Sequence, residues 1–294
     1  MTLRDALLLG RVSNLPTVLT NVLAGLALAG AVTGDVPPAL PVLGLWLAMV
    51  LMYVAGMYLN DAFDAAIDAK ERPERPIPSG RVPARTVFAA GFAMMGLAVA
   101  VLLGLGYGVS GATGWHGAAW GLALAAVIVF YDRFHKNNPL SPVVMGLCRL
   151  GVYVTSGAVL SATLPPDLWI GAGVLVCYLV GLTYAAKQET LGRVTNQWPL
   201  VFLAVPVAYL APQAIVGTSG LVLFAAFVVW TFRCLRLLAR RQGPDVPMAV
   251  TGLIAGMCLL DALLIGSTGA WTLAVAVAFG FPITLAFQKF IPGT

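Results

Sequence analysis

Residues 39–80 read ALPVLGLWLAMVLMYVAGMYLNDAFDAAIDAKERPERPIPSG, a long apolar run that ends in acidic and then basic side chains. The apolar part is long enough for a helix that crosses about 30 Å of hydrocarbon. Four polar residues follow at spacings of one, three and four, which place them on one helical face. We call these residues the acid cluster: Asn60, Asp61, Asp64 and Asp68. The stretch predicts a membrane helix that carries carboxylates where it meets water.

Apolar stretches of similar length recur along the whole chain. Hydrophobic residues make up 60% of the 294 and charged residues only 10%, far from the averages of soluble proteins. The sequence therefore predicts an all-α, polytopic helical membrane protein with a single domain, residues 1–294. We expect ten spans in the lipid bilayer, at 14–33, 39–62, 84–107, 115–132, 139–161, 168–188, 197–214, 217–239, 246–266 and 270–288.

Basic residues mark one side of this predicted membrane protein. All of the 17 lysines and arginines except Arg149 fall in connectors 61–85, 132–138, 187–196 and 233–245 or near the chain ends. The positive-inside rule assigns that side to the cytoplasm. We therefore expect both termini and the acid cluster to face the cytoplasm. The net charge of +5 follows from this distribution, and we expect no nucleic-acid partner.

The acid cluster predicts a metal site. Three carboxylates packed together repel one another unless a cation lies among them. Oxygen ligands suit Mg²⁺, which binds carboxylates on one side and substrate phosphates on the other. Arg72 and Arg75 follow closely and can neutralise phosphate. Acids for a metal beside bases for a phosphate predict a diphosphate site, whereas the alternative is a solvated helix end.

A second polar group closes another predicted span, in FYDRFHKNNP at 130–139. Tyr131 and Lys136 can hydrogen-bond a phosphate, and Asp132 lies beside them. The alternative is a plain ion pair between Asp132 and Lys136, which are four residues apart on a helix. His135 is expected to be a solvated loop residue.

A third polar group lies in TYAAKQETLGR at 183–193. Tyr184 and Lys187 share a helical face, and Glu189 points elsewhere if the helix stays regular. A loop of mixed charge is the alternative. Three further polar residues lie within predicted spans: Asn21, Arg149 and Asp261. A charge at such depth normally faces a polar cavity, although a structural Arg149–Asp261 pair or a packing hydrogen bond from Asn21 would also account for them.

Together these motifs resemble the UbiA family of intramembrane prenyltransferases. The first acidic motif with its tail RPIPSG at 75–80 is specific, and the resemblance covers roughly residues 11–265. It implies a helical bundle of about nine to ten transmembrane helices around a central cavity. It also implies Mg²⁺-dependent ionisation of a polyprenyl diphosphate and transfer of the isoprenoid to a lipophilic, aromatic acceptor.

The chain departs from the family pattern at its second acidic motif. Where several aspartates are usual, this sequence has Lys187, Gln188 and Glu189. Metal binding on that side then rests on one acid, and Lys187 can replace a metal's charge. The final span is additional to the usual nine. The pattern of YDxxxK, MGLCR and TYxxKxE is similar to the EboC-like branch, which makes 4-hydroxybenzoate a poor default acceptor.

The resemblance assigns roles to the candidate residues. Expected metal ligands are Asp61, Asp64, Asp68 and Glu189, and Lys136 and Lys187 join them as catalytic residues. Residues expected to bind substrate are Asn21, Asn60, Arg72, Arg75, Tyr131, Asp132, Arg149 and Tyr184. Two alternatives to prenyl transfer remain: a membrane carrier for a phosphorylated lipid, and transfer of a phosphosugar onto polyprenyl phosphate.

Overall fold

The computed structural model describes residues 1–136, 138–191, 198–215 and 217–293, without the side chains of residues 188–191. Regular structure in the described residues is helical apart from one isolated bridge, Thr33–Val36. Short 3-10 helices, Val12–Asn14 and Trp198–Leu203, precede α2 and α9. The α-helices are α1 (Leu3–Leu9), α2 (Leu15–Leu28), α3 (Ala39–Phe63), α4 (Ala65–Glu71), α5 (Ala84–Gly108), α6 (His116–Phe134), α7 (Ser141–Leu160), α8 (Pro166–Leu191), α9 (Ala204–Ala214), α10 (Thr218–Arg240), α11 (Asp245–Ser267), α12 (Trp271–Ala278) and α13 (Gly280–Phe287).

Seven of these helices are long and apolar enough to cross a membrane: α3, α5, α6, α7, α8, α10 and α11. The other three predicted spans are shorter apolar segments, Val12–Leu28, Trp198–Ala214 and Trp271–Phe287. The last of these is divided at Phe279 into α12 and α13. Pro282 has no N–H to donate to the carbonyl of Ala278, where α12 ends. The all-α, polytopic prediction is confirmed, and the tenth segment is a broken helix.

Helix α11 lies at the centre of the bundle. It contacts α2, α8, α9, α10, α12 and α13, and nearly every side chain between Ala249 and Gly266 is buried. α2 crosses α7 closely at Gly25, where a Cβ would lie 2.6 Å from the carbonyl oxygen of Tyr153. Only glycine permits that approach, which brings the backbones of α2 and α7 together inside the bundle.

The connection between α3 and α5 folds back over the end of α3. A small apolar core beneath it contains Leu9, Tyr58, Ala62, Val82 and Val87. Burial of these side chains stabilises the connection and fixes residues 72–83 above the last turn of α3. As a result, the basic tail of the first motif lies directly against its acids.

Candidate functional site

The acid cluster lies at the junction between α3 and α4. α3 ends at Phe63, Asp64 adopts φ −82° and ψ −2°, and α4 begins at Ala65. The sequence predicted one continuous helix here, so the division at Asp64 is a correction. Helical hydrogen bonds still cross the junction, from Asp64 N to Asn60 O at 3.0 Å and from Asp68 N to Asp64 O at 2.9 Å. The four side chains therefore stay together, each with 8% or less of its surface exposed.

Two arginines pair with the aspartates at either end of the cluster. Arg11 Nη2 lies 3.0 Å from Asp61 Oδ1, and Arg75 Nη1 lies 3.3 Å from the same oxygen and 2.8 Å from Asp68 Oδ2. The predicted mutual repulsion is thereby offset without a metal. Sequence reasoning missed Arg11, which lies 50 residues away; the only signal was its place just before the first apolar run on the basic side.

The central acid, Asp64, contacts the end of α6. His135 Nε2 and Lys136 Nζ each lie 3.3 Å from Asp64 Oδ2. Burial alone would raise the pKa of Asp64, but the hydrogen bond from His135 and the positive charge of Lys136 outweigh it and lower the pKa. The expected solvated loop position of His135 is wrong, because its side chain is only 13% exposed.

Asp132 lies on the side of α6 that faces α3. Its Oδ1 accepts a hydrogen bond of 3.2 Å from Asn60 Nδ2, and its Oδ2 is buried with no hydrogen-bond partner in the part of the chain that the structure describes. The alternative of an Asp132–Lys136 ion pair is wrong, since the Lys136 ammonium contacts Asp64 instead. Tyr131 stacks on the His135 ring, with 5.0 Å between ring centroids. The second polar group is thus brought against the acid cluster.

A cavity of about 410 Å³ opens beside Asp61 at this end of the bundle. Four of its lining residues are arginines, whereas only two are acids. An arginine guanidinium can donate two parallel hydrogen bonds to the oxygens of one phosphate. The lining of the cavity therefore suits a phosphate group. The residues that line the cavity are Leu8, Arg11, Asp61, Arg72, Glu74, Arg75, Pro76, Arg81 and Pro292.

The third polar group is only partly described. Lys187 Nζ donates a 2.7 Å hydrogen bond to the carbonyl of Asn138, in the connection between α6 and α7. Tyr184 is half-buried on the same helix. The side chain of Glu189 lies outside the described residues, as does Arg193. Lys187 therefore ties α8 to the segment that carries Lys136.

A separate polar site lies among α2, α7 and α11, and we call it the Asp261 site. The fully buried Asp261 carboxylate accepts hydrogen bonds from the side chains of Thr20, Asn21 and Tyr153. Arg149 Nη1 donates to Asn21 Oδ1 at 2.9 Å, and its guanidinium lies 5.5 Å from the centre of the Tyr53 ring. The alternative of a direct Arg149–Asp261 pair is therefore wrong, because Asn21 stands between the two charges.

The acid cluster offers oxygen ligands of the chemical kind that Mg²⁺ binds. Its ligands are hard carboxylate oxygens, and the buried Oδ2 of Asp132 has no hydrogen-bond partner among the described residues. Within the described parts of the chain, no three His, Cys, Asp or Glu side chains converge on one point. Arg75 bridges Asp61 and Asp68, and Arg11 and Lys136 each pair with one aspartate. A cation with one or two carboxylate ligands and substrate phosphates fits once these side chains turn aside.

The fold and the site together define a multi-pass membrane helical bundle with an acid-and-arginine site at one end. A model of the UbiA prenyltransferase family matches residues 18–247, so the chain belongs to the UbiA prenyltransferase family. Digeranylgeranylglyceryl phosphate synthase of Ignicoccus hospitalis is 40% identical over 193 residues, which are 65% of this chain and 57% of that protein. The bacteriochlorophyll synthase 33 kDa chain of Rhodobacter capsulatus is 32% identical over 149 residues, 46% of this chain and 45% of that one.

The chain spans about half the length of the curated relatives it matches. Among solved structures, a UbiA homolog from Archaeoglobus fulgidus has a TM-score of 0.62 at 14% identity, covering 94% of this chain and 99% of that one. The same homolog bound to GPP and Mg²⁺ gives a TM-score of 0.52 at 13% identity, with 97% and 99% covered. At this identity the likeness establishes the fold.

Proposed function

We propose that the protein transfers an isoprenoid chain from a polyprenyl diphosphate to a lipophilic acceptor, with release of diphosphate. The observation that carries the proposal is the acid cluster, whose aspartates are paired with long basic side chains beside an arginine-lined cavity. A diphosphate head fits this end of the bundle, and its apolar tail fits among the membrane helices. Family membership and the GPP-bound homolog support the same donor class.

Asp61, Asp64 and Asp68 would hold Mg²⁺, with Glu189 as a further ligand from α8. When bound, the metal supplies positive charge that stabilises the departing diphosphate. The carboxylates are already buried and ordered in place. They therefore need no large rearrangement of the backbone to take a cation, only the withdrawal of the basic side chains now paired with them.

The basic residues have a complementary role. In the reaction the allylic C–O bond breaks and its electron pair leaves with the diphosphate. Arg72, Arg75, Lys136 and Lys187 stabilise that negative charge, as donors aimed at developing charge do in many enzymes. An electron-rich atom of the acceptor then bonds to the allylic carbon, and the acceptor loses a proton to water. The enclosing helices shield the cation from solvent until that bond forms.

The acceptor is proposed to bind deeper, near Asn21, Arg149 and Tyr184. Arg149 faces Tyr53, which lies eight residues before Asp61 on α3. That separation places it about 12 Å further along the helix. An aromatic acceptor would meet a tyrosine face and a guanidinium there. Placement in the EboC-like branch remains a prediction, and the two named relatives make different products, so neither supplies the acceptor.

The test is incubation of the purified protein with labelled prenyl diphosphates, lipid extract and Mg²⁺, with chelator as control. We expect Mg²⁺-dependent release of diphosphate and a prenylated lipid seen by mass. Binding without release would favour a membrane carrier instead. Consumption of a nucleotide sugar with polyprenyl phosphate would favour phosphosugar transfer. Comparison of lipid extracts from cells with and without the protein would then identify the acceptor.

We also propose that the acid cluster and both chain ends face the cytoplasm. The distribution of basic residues motivates this orientation. Single cysteines placed in the 107–114 connector and in the 62–83 connector, in a background without native cysteines, should react with an impermeant reagent from opposite faces of the membrane. Labelling of both from the cytoplasmic face would contradict the proposed orientation.

A further inference from the structure

Asp132 differs from every aspartate of the acid cluster in its hydrogen-bond and ion-pair partners. It is 3% exposed, near the end of α6. Asn60 Nδ2 donates to its Oδ1 at 3.2 Å, whereas its Oδ2 is buried and has no hydrogen-bond partner among the described residues. A buried carboxylate oxygen without any partner is unfavourable, so something absent from the chain itself is expected to contact it.

The charges around Asp132 indicate what that missing partner is. Each aspartate of the acid cluster lies within 4 Å of a basic side chain, but no such ion pair involves Asp132 in the described residues. The hydrogen-bond partner that Asp132 does have, the amide of Asn60, is neutral. A positive ligand would supply the charge that a buried carboxylate otherwise lacks.

The described side chains of the third polar group bring no carboxylate to the acid cluster. The Lys187 ammonium donates to the carbonyl of Asn138. Glu189 is the one acid in residues 183–193, and its side chain lies outside the described residues. Asp132 supplies a carboxylate from α6, which packs directly against α3. It thus faces the acid cluster from a different helix, as ligands that enclose a cation do.

We infer that Asp132 is a ligand of the divalent cation at the acid cluster, with Oδ2 as the binding atom. Asn60 is a positioning residue: its amide donates to Oδ1 and leaves Oδ2 as the carboxylate atom without a partner among the described residues. Two carboxylates and substrate phosphates suffice for Mg²⁺. The inference rests on the proposed function for the phosphates but adds a ligand from outside both acidic motifs.

The experiment measures Mn²⁺ binding, in place of Mg²⁺, to the purified full chain in detergent with inorganic diphosphate. Free Mn²⁺ is followed by electron paramagnetic resonance. We expect Asp132→Asn to weaken Mn²⁺ binding about tenfold or more, the effect of losing one charged ligand, while melting in metal-free buffer stays equal or rises. Asp132→Glu should retain part of the affinity. Asp245→Asn removes another buried acid, one paired with Arg240, and should leave Mn²⁺ binding unchanged.

Each outcome decides something. Parent-like Mn²⁺ affinity in Asp132→Asn would overturn the assignment and leave Asp132 a protonated acid. A large fall in melting temperature in both Asp132 variants, with Mn²⁺ affinity retained in the folded fraction, would make the residue structural. If the parent itself binds no Mn²⁺ with diphosphate, the proposed function fails. If the parent binds and turns over while Asp132→Asn binds equally well, only this inference fails.

Discussion

The acid cluster and the Asp261 site both bury carboxylates in the helix bundle, but they satisfy them with different partners. In the acid cluster the partners are charged and lie outside the helices that carry the acids: Arg11, Arg75 and Lys136. In the Asp261 site they are neutral side chains on the helices that form the site, namely Thr20, Asn21 and Tyr153. One site contains six or more full charges, whereas the other contains one carboxylate and the more distant Arg149.

The two sites differ in whether a ligand can take the place of the carboxylates in contact with their partner side chains. The long Lys136 side chain is 41% exposed, so it can turn from a carboxylate to a phosphate with little strain. Arg75 is 15% exposed but lines the cavity where a phosphate would bind. Thr20 and Tyr153 are fully or almost fully buried and fixed on helix backbones. Thr20 is held further by a second hydrogen bond, to the carbonyl of Thr17 on its own helix. The acid cluster is thus organised to receive a ligand, and the Asp261 site to join α2, α7 and α11.

The largest effect is expected in the acid cluster. Asp61→Asn, Asp64→Asn and Asp68→Asn should each lower diphosphate release by about 10²-fold or more, as losses of a charge-stabilising group typically do. Diphosphate release at several Mg²⁺ concentrations is the measurement. Because each aspartate is already paired with a basic side chain, its replacement by asparagine leaves that side chain without its ion-pair partner. Melting temperature in metal-free detergent should therefore fall slightly; the sequence alone had suggested relief from repulsion.

Asn60→Ala is the matched control for these variants. It removes an amide but no charge, so its loss of turnover should be milder than that of any Asp→Asn variant. Undiminished turnover by all three aspartate variants would end the metal-site proposal. Collapse of the metal-free fold on any single change would instead place the acid cluster with the Asp261 site, as a structural feature.

The second effect is on stability. Asp261→Ala leaves the buried donors of Asn21 and Tyr153 without their acceptor, whereas Thr20 keeps the Thr17 carbonyl, and should cost about 2–4 kcal/mol. We expect a clear drop in melting temperature in detergent, with turnover per folded molecule reduced far less than in the aspartate variants. Tyr153→Phe removes one donor and should cost about 1 kcal/mol. Lost turnover at parental melting temperature would show that Asp261 acts on substrate and would remove the contrast between the two sites.

The fold was largely predictable because periodic, local signals specify it. Hydrophobic length and charged connectors placed all ten apolar segments, and the spacing of the first motif placed its carboxylates together. The partners of those carboxylates were not predictable, because Arg11 and Asp61 are 50 residues apart and only packing brings them into contact. The same holds for Asn21 and Asp261, which are 240 residues apart on α2 and α11.

A smaller effect is expected at Lys187. Its ammonium is tied to the Asn138 carbonyl, so it acts on a diphosphate at a distance. Lys187→Ala should weaken diphosphate binding by less than about fivefold, the range of a partly exposed charge. Lys187→Asp should raise the Mg²⁺ concentration needed for half-maximal turnover. Parental binding and parental metal dependence in both variants would identify Lys187 as a link between α8 and the α6–α7 connection only.

The smallest effect is expected at Asp5, which tests whether pairing with arginine is by itself the mark of a ligand site. Asp5 Oδ1 accepts a hydrogen bond of 2.9 Å from Arg81 Nε, as the aspartates of the acid cluster do from their arginines. In addition, Thr2 is the N-cap of α1 and forms a capping box with Asp5. Thr2 is a local partner at the start of the same helix, and Arg81, 45% exposed, also donates to the carbonyl of Glu74. Asp5→Asn should therefore leave turnover unchanged and alter only stability.

That change in stability should depend on pH in a defined direction. The Thr2 hydrogen bonds and the Arg81 guanidinium lower the pKa of Asp5 from 3.8 to about 2. A carboxyl whose pKa is lower in the folded state stabilises the fold above its unfolded pKa and loses that contribution as the pH falls through the folded one. The melting-temperature difference between parent and Asp5→Asn should thus be full above about pH 4 and shrink toward pH 2. A difference that stays constant over this interval would mean that the ion pair contributes nothing. A turnover defect in Asp5→Asn would mean that the Asp5–Arg81 ion pair also serves the reaction. Partners that a ligand can replace would then not be a feature that sets the acid cluster apart.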